Sequence, residues 1–382
     1  MTDKDHNPSS THPPLPPTSE DEQFSRLRLL RSRRVGVTTY KRLLTEHGTA
    51  QNALAALPEV ARAAGVETYE VCPDAVVQSE LNAARDAGAR LIMQGTPAYP
   101  DLLEELEDAP PFLWVIGDPA LLKRPMISLV GARSASSLGT RMARTLARDL
   151  GAAGYVVVSG LARGVDTAAH LAALSTGTIA VQAGGVDVIY PTENTKLAQD
   201  IAQTGLRLSE QPMGLRPIAR HFPSRNRIIA GLSRATVVVE AAAKSGSLIT
   251  ARDALDQGRD VLAVPGSPFD ARAAGCNQLI RDGATLVRSA DDVIEALTPL
   301  HGDAPELPLP APVAPPAPKK RALREVAALH SMILSRLSPA PVAEDQLIRD
   351  LAVAPAEVAP ALLDLEMDGK ITRRSGGLLS RA

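Results

Sequence analysis

Six apolar runs recur between Met126 and Leu297, and each is continuous: Met126–Gly131 (MISLVG), Tyr155–Gly160 (YVVVSG), Thr178–Gly185 (TIAVQAGG), Leu206–Glu210 (LRLSE), Ala235–Ala241 (ATVVVEA) and Asp260–Gly266 (DVLAVPG). A strand with one wet face alternates apolar and polar residues, whereas a strand covered on both faces does not. Helix-length stretches separate the runs. The pattern restricts this region to a mostly parallel sheet with helices on either side, an extended Rossmann-like, doubly wound α/β core. Such sheets bind ligands beyond the carboxyl ends of their strands, where helix N-termini present free N–H groups.

Three of these strand ends carry small residues followed by a helix start. They are Gly131 to Gly139 (GARSASSLG), Ser159 to Asp166 (SGLARGVD), and the turn Lys244-Ser245-Gly246-Ser247. Small residues let an anion approach the backbone, because glycine has no Cβ in the way. Each turn also has a cation: Arg133, Arg163 and Lys244. A basic stretch, Arg220 to Arg227 (RHFPSRNR), precedes the fifth run and reads as a loop leading into a short helix. It adds Arg225, Asn226 and Arg227. Three turns and one basic loop together point to a polyanion site. Arginine suits both phosphate forks and stacking on bases.

The usual mononucleotide and dinucleotide sites do not fit. Arg133 stands where the second glycine of G-x-G-x-x-G belongs, at the closest approach of a pyrophosphate. Lys244-Ser245 resembles the end of a P-loop, but no G-x-x-x-x-G precedes it. Cations spread over several loops follow a row of successive phosphates better than one nucleotide. The net charge of −2 requires any polyanion to be held by local patches. Aromatics at 3% limit base stacking.

Candidate acid–base groups are few. Asp166 and His170 lie one helical turn apart, and their expected role is an ion pair or hydrogen bond that anchors the helix. Glu240, at a strand end, could serve as a general base, but the favoured expectation is that it receives Arg225 or Arg227. Ser247 can cap its helix or bind a phosphate, and the two roles compete. The two cysteines, Cys72 and Cys276, offer no disulfide framework and read as buried fillers.

Outside the core, residues 1–20 are rich in Pro, Ser and Thr and read as a disordered tail. Residues 21–75 read as a bundle of short helices broken by Gly36, Gly48 and Gly65, resembling helix-hairpin-helix or SAM-like modules. Its basic start reads as a solvated face or a secondary phosphate contact. The core occupies 76–300. Residues 301–320 form a Pro/Ala-rich linker. Residues 321–382 read as three helices and a β-hairpin, a winged helix, whose mixed charges argue against a dedicated DNA face. No stretch is long and apolar enough to span a membrane, and the N-terminus lacks a signal-peptide pattern, so the expected location is cytoplasmic.

Taken together the residues resemble the DNA-processing protein A (DprA/Smf) family. The resemblance runs through Tyr99-Pro100, Gly131-Ala132-Arg133, Ser159 to Asp166 with Ala169-His170, and Tyr190-Pro191 with Asn194. It continues through Ser209-Glu210, Phe222 to Arg227, Ser245 to Ala251, Val264-Pro265-Gly266 and Gly275 to Ile280. It implies a single-stranded DNA-binding protein, not an enzyme and without a cofactor or metal. Such a protein protects incoming DNA and loads RecA recombinase in natural transformation, and it acts as a homodimer. By motif position it implies a DNA pocket of Arg133, Ser159, Gly160, Arg163, Arg225, Asn226, Arg227, Lys244, Ser245 and Gly246. The competing reading is a Rossmann-type nucleotide or phosphoribosyl hydrolase with Glu240 as base. Against it, Gly184-Gly185 leads into Val186-Asp187 and not into the P-G-G-x-G-T of such enzymes.

Overall fold

The structure, a computed structural model, describes residues 20–298, 323–374 and 377–382. The expected tail before residue 20 and the expected linker at 301–320 lie outside the described residues. By its contacts the chain divides into two units, 1–300 and 301–382.

The first unit begins with four helices: α1 (Glu20–Arg31), α2 (Val37–His47), α3 (Ala50–Ala63) and α4 (Asp74–Asp86). They close around Leu27, Leu43, Leu54 and Val77, with Trp114 packed into the same cluster. Much of the basic start is spent internally. Arg26 pairs with Glu22, Arg28 with Asp74, and Arg31 with Glu80. The Glu80 carboxylate also accepts from the Trp114 indole at 2.8 Å, which ties the helices to the sheet.

The sheet follows: β1 (Arg90–Met93), α5 (Asp101–Glu104), β2 (Phe112–Gly117), β3 (Met126–Val130), α6 (Ser137–Ala152), β4 (Val156–Ser159) and α7 (Val165–Ala173). Next come β5 (Thr178–Val181), α8 (Thr195–Thr204), β6 (Leu206–Ser209), α9 (His221–Leu232), β7 (Ala235–Val238) and α10 (Ser247–Asp256). The unit closes with β8 (Asp260–Ala263), α11 (Ala274–Arg281), β9 (Thr285–Leu286) and α12 (Ala290–Leu297).

Among the described residues the nine strands are ordered β1-β2-β6-β5-β4-β3-β7-β8-β9. Strands β6 to β9 in that order are parallel, and β1 and β2 add an antiparallel edge. Phe112–Gly117 belongs to that edge, with Trp114 buried. The chain walks outward from β3 to β6, then jumps to the other side of β3 for β7. Order reverses between β3 and β7, so the crevice at their carboxyl ends is the expected ligand site.

The continuous apolar runs are explained by two cores. Val156, Val158, Ile179, Val181 and Leu208 pack with Ile228 and Ile229 of α9 on one face. Ile127, Leu129, Val157 and Val237 pack with Leu146 and Leu150 of α6 on the other. Successive side chains alternate faces, and both faces are dry. Each fully buried aliphatic side chain contributes about 1.5–3 kcal/mol.

One local reading changes. Residues from His221 to Arg227 are not a loop but the opening turns of α9. Pro223 stands third in that helix, where its missing N–H and fixed φ cost nothing.

The second unit has α13 (Leu323–Arg336), β10 (Val342–Ala343), α14 (Glu344–Leu351), α15 (Pro355–Met367), β11 (Ile371–Arg374) and β12 (Leu378–Arg381). It is a winged helix built on Leu329, Ile333, Leu362, Leu365 and Leu379. Its sheet has three strands and not two, because Val342–Ala343 pairs with Leu378 and Leu379. Cations near the wing are partly neutralised: Arg373 pairs with Glu344 and Glu366, and Lys370 with Asp368.

Candidate nucleic-acid interface

The β3–β7 crevice opens into a cleft of about 760 Å³. Its walls are the Gly131–Ser134 turn after β3, the first turns of α9, and the Lys244–Ser247 turn before α10. A second cleft of about 300 Å³ continues it toward Gly160, Arg163 and Tyr190–Glu193. Arg133, Ala162, Phe222 and Arg225 line both. The two clefts are thus one groove divided by Arg225.

Arg225 is 6% exposed, yet it faces the groove from both sides. Its Nη1 donates to the Val181 carbonyl at 2.6 Å. Burial pushes its pKa down to about 10, while Asp166 pulls it upward, so the guanidinium stays charged at neutral pH. Its Nε has no partner among the described residues. A charged guanidinium that lines both clefts and keeps unused donor capacity has the chemistry to hold an anion.

The turn beside it is held by a small buried network. The Asp166 carboxylate accepts from the Gly160 N–H at 3.0 Å and the Ala162 N–H at 3.3 Å. His170 Nε2 accepts from the Leu161 N–H at 3.3 Å, and its Nδ1 meets the Thr178 hydroxyl at 2.7 Å. Asn194 Nδ2 donates to the Leu161 carbonyl at 2.8 Å. These bonds fix Leu161 at a left-handed φ of 56°. Burial pushes His170 down to about 3, so it is neutral, and pushes Asp166 upward against the pull of Arg225. Asp166 and His170 therefore anchor the turn through separate partners, and not as the pair that their helical spacing allowed.

The groove's outer cations are exposed. Arg133 is exposed and sits 5.3 Å above the Phe222 ring. Phe222 in turn tilts against Tyr190, with ring centroids 5.7 Å apart. Lys244 is exposed, and among the described residues neither it nor Arg133 meets a carboxylate. Arg163 is exposed and only loosely near Glu193, at 3.8 Å. Asn226, Ser245 and Gly246 line the larger cleft. The Ser245 and Ser247 hydroxyls face each other at 2.8 Å. The Ser245 hydroxyl also accepts the Ser247 N–H at 3.4 Å, so the turn at the positive end of α10 lines the groove with its first N–H groups already engaged.

Two expected contacts are corrected. Ser159 is fully buried and spends its hydroxyl on the Leu129 carbonyl at 2.6 Å, so its side chain does not reach the groove. Arg227 lines neither cleft. It pairs with Glu210 at 2.5 Å and Asp108 at 3.5 Å. Residues two apart in a helix differ by roughly 200° around its axis, so Arg225 and Arg227 cannot share a face. Glu240 receives neither arginine: it accepts the Ser136 N–H at 2.9 Å and the Ser136 hydroxyl, in a separate cleft.

Phe222, Tyr190 and Arg272 are among the groove residues absent from the expected set, the last paired with Asp270 at 3.1 Å. Phe222 and Tyr190 each precede a proline in a chain with four Phe and five Tyr, and that scarcity was the available signal. Both cysteines are buried and free.

A family model described as DNA recombination-mediator protein A matches residues 90–298, over half of the chain. The chain belongs to this family. Models of its flanking modules match as well: a DprA-like N-terminal HHH domain at 20–83 and a DprA winged helix domain at 315–377. DNA processing protein DprA of Streptococcus pneumoniae is 48% identical over 198 residues, covering 51% of this chain and 70% of that protein. Protein Smf of Escherichia coli is 36% identical over 315 residues, covering 80% and 81%. The X-ray structure of the Streptococcus pneumoniae DprA superposes with a TM-score of 0.60 at 37% identity, over 71% of this chain and 97% of that one. A Helicobacter pylori DprA structure, described for its single-stranded DNA binding mode, gives a TM-score of 0.50 at 34% identity, over 55% and 95%. The DprA core match spans every residue that lines the groove.

Proposed function

We propose that this protein grips single-stranded DNA along the groove and delivers it to the RecA recombinase. The observation that carries the reading is the groove's shape and charge. Two continuous clefts share Arg133 and Arg225, with Lys244 at one end and Arg163 at the other. Spaced cations of this kind match a row of phosphates. The Arg133–Phe222–Tyr190 row offers aromatic faces to bases without reading their edges. The role is that of a binding protein without chemistry of its own. Family membership supports delivery to RecA, action as a homodimer and a place in natural transformation, all within the cytoplasm.

The deciding experiment is fluorescence anisotropy with labelled single-stranded and duplex oligonucleotides of unrelated sequence, followed by a RecA filament-loading assay. Strong single-strand binding that ignores sequence, together with faster RecA loading, is the expected result. Equal binding to duplex, or no effect on RecA, would overturn the corresponding half.

A further inference from the structure

In a doubly wound sheet, the helix that follows the first strand of the switch point receives a nucleotide's phosphate at its N-terminus. Here that place belongs to the turn from β3 to α6. α6 has 16 residues, so its first N–H groups carry the full positive end of a long helix.

The place is already filled, and by the protein itself. Glu240, two residues beyond β7, is 7% exposed and lays its carboxylate on the start of α6. One oxygen accepts the Ser136 N–H at 2.9 Å, and the other accepts the Ser136 hydroxyl. The Ser136 hydroxyl in turn accepts the Gly139 N–H at 2.9 Å. The carboxylate fits only because Gly139 has no side chain: a Cβ there would stand 2.5 Å from Glu240 Oε2. Among the described residues no lysine or arginine pairs with Glu240. Its charge is met at contact by the helix end and one hydroxyl, and at longer range by Arg272. By contrast, the first N–H of α10, that of Ser247, meets the neutral Ser245 hydroxyl at 3.4 Å and not a carboxylate.

We propose that Glu240 is a built-in anion that closes the β3–α6 turn to the phosphates of free nucleotides. It thereby determines that the crevice selects a strand over a mononucleotide. A nucleotide phosphate arriving at this turn meets donors already used and a like charge at close range. A strand avoids the turn, because its phosphates are held by Arg133, Arg225 and Lys244 in the neighbouring groove. The second statement rests on the strand-holding reading; the closure of the turn does not.

The test uses the full-length protein and its Glu240→Ala and Glu240→Gln variants, each labelled with 15N-serine. Each is titrated with inorganic pyrophosphate and with ADP by calorimetry, while the Ser136 amide resonance is followed. Wild type should show no Ser136 shift. Glu240→Ala should bind pyrophosphate at least about tenfold more tightly, with the Ser136 amide moving and the affinity falling with salt. Glu240→Gln, which keeps the size and one acceptor, should fall between. If the alanine variant does not fold, the glutamine variant carries the test and must still gain binding. A folded variant that gains none, or a wild type whose Ser136 amide already moves, overturns the proposal. Single-strand affinity measured in parallel separates the two ideas. It should stay within about twofold in all three proteins, because Glu240 lies outside the groove. Wild type that binds no strand would refute the strand reading while leaving the pyrophosphate result readable.

Discussion

The guanidinium of Arg225 fills the space in which a side chain at Gly160 would begin. Strand β4 is therefore followed directly by a glycine, because the side chain of Arg225, 65 residues further along the chain, needs the room. The contact joins the turn held by Asp166 and His170 to the helix that supplies the groove's central charge.

Gly160→Ala should displace the guanidinium, break its bond to the Val181 carbonyl, and cost about 1–3 kcal/mol of stability through overpacking. Single-strand affinity should drop in the same variant. Urea unfolding and anisotropy on one preparation check both. A variant with unchanged urea midpoint and unchanged affinity would contradict the packing described.

Arg225 and Arg227 should separate binding from stability. Arg225→Ala removes the nearby positive charge that favours ionised Asp166 and the bond to the Val181 carbonyl, so it should lower stability as well as DNA affinity. Arg227→Ala strips the partner from Glu210, whose carboxyl burial already pushes upward, so stability should fall there too. Its folded fraction should nevertheless bind DNA within about twofold of wild type, because the side chain lines neither cleft. Loss of affinity in folded Arg227→Ala would return that residue to the interface.

Arg133 and Lys244 are exposed cations, so their role is read most directly from salt. In wild type, log affinity should fall linearly with log salt. Each of Arg133→Ala and Lys244→Ala should reduce that slope by about 0.7. Melting temperatures should hardly move, since both side chains are exposed. Slopes identical to wild type would remove them from the phosphate path.

Phe222→Ala should weaken binding by about 1–3 kcal/mol if its ring stacks on a base. The salt slope should stay unchanged in that variant, because no phosphate contact is lost. Tyr190→Ala should act in the same direction, through the ring contact it shares with Phe222. An altered slope with no change in affinity at low salt would argue for a purely packing role.

His170 gives a dependence on pH with a definite sign. Its folded pKa, about 3, lies below the usual value of 6.5, so the unfolded chain takes up a proton that the folded chain refuses. Its contribution to stability is complete above about pH 6.5 and is lost as pH falls toward 3, at on the order of 1 kcal/mol per pH unit. Asp166, pushed upward by burial, acts in the opposite direction at acid pH. The His170→Gln variant isolates the histidine: the difference between its urea midpoint and that of wild type should narrow between pH 6.5 and 4. A constant difference would mean that the ring is charged in the folded protein.

Much of this architecture is legible in the amino-acid order alone. Val156, Val157 and Val158 in succession announce a strand with two dry faces, and six such runs leave little choice of sheet. The turns at Gly131 and Lys244 stand out because small residues and cations occur together where strands end. The helix α9 is hidden by Pro223 and Ser224, which punctuate loops as readily as they open helices. Once that stretch is a helix, the fate of Arg227 follows from its angular spacing. Glu240 meets Ser136 across 104 positions of sequence, and no local pattern encodes such a meeting. The same distance explains why Ser159 was expected to face the ligand: its acceptor, Leu129, lies on the neighbouring strand.

The groove is assembled from chain segments that reach from Arg133 to Arg272, brought together by the pairing of β3 with β4 on one side and β7 on the other. Parallel pairings of this kind close long loops and form slowly. A chain emerging from the ribosome therefore carries Arg133 and Arg225 in the open well before it owns a groove. Binding competence should appear in a single late step, once β7 and the turn beyond it have docked. Nucleic acid in the cell then meets either no site or a finished one.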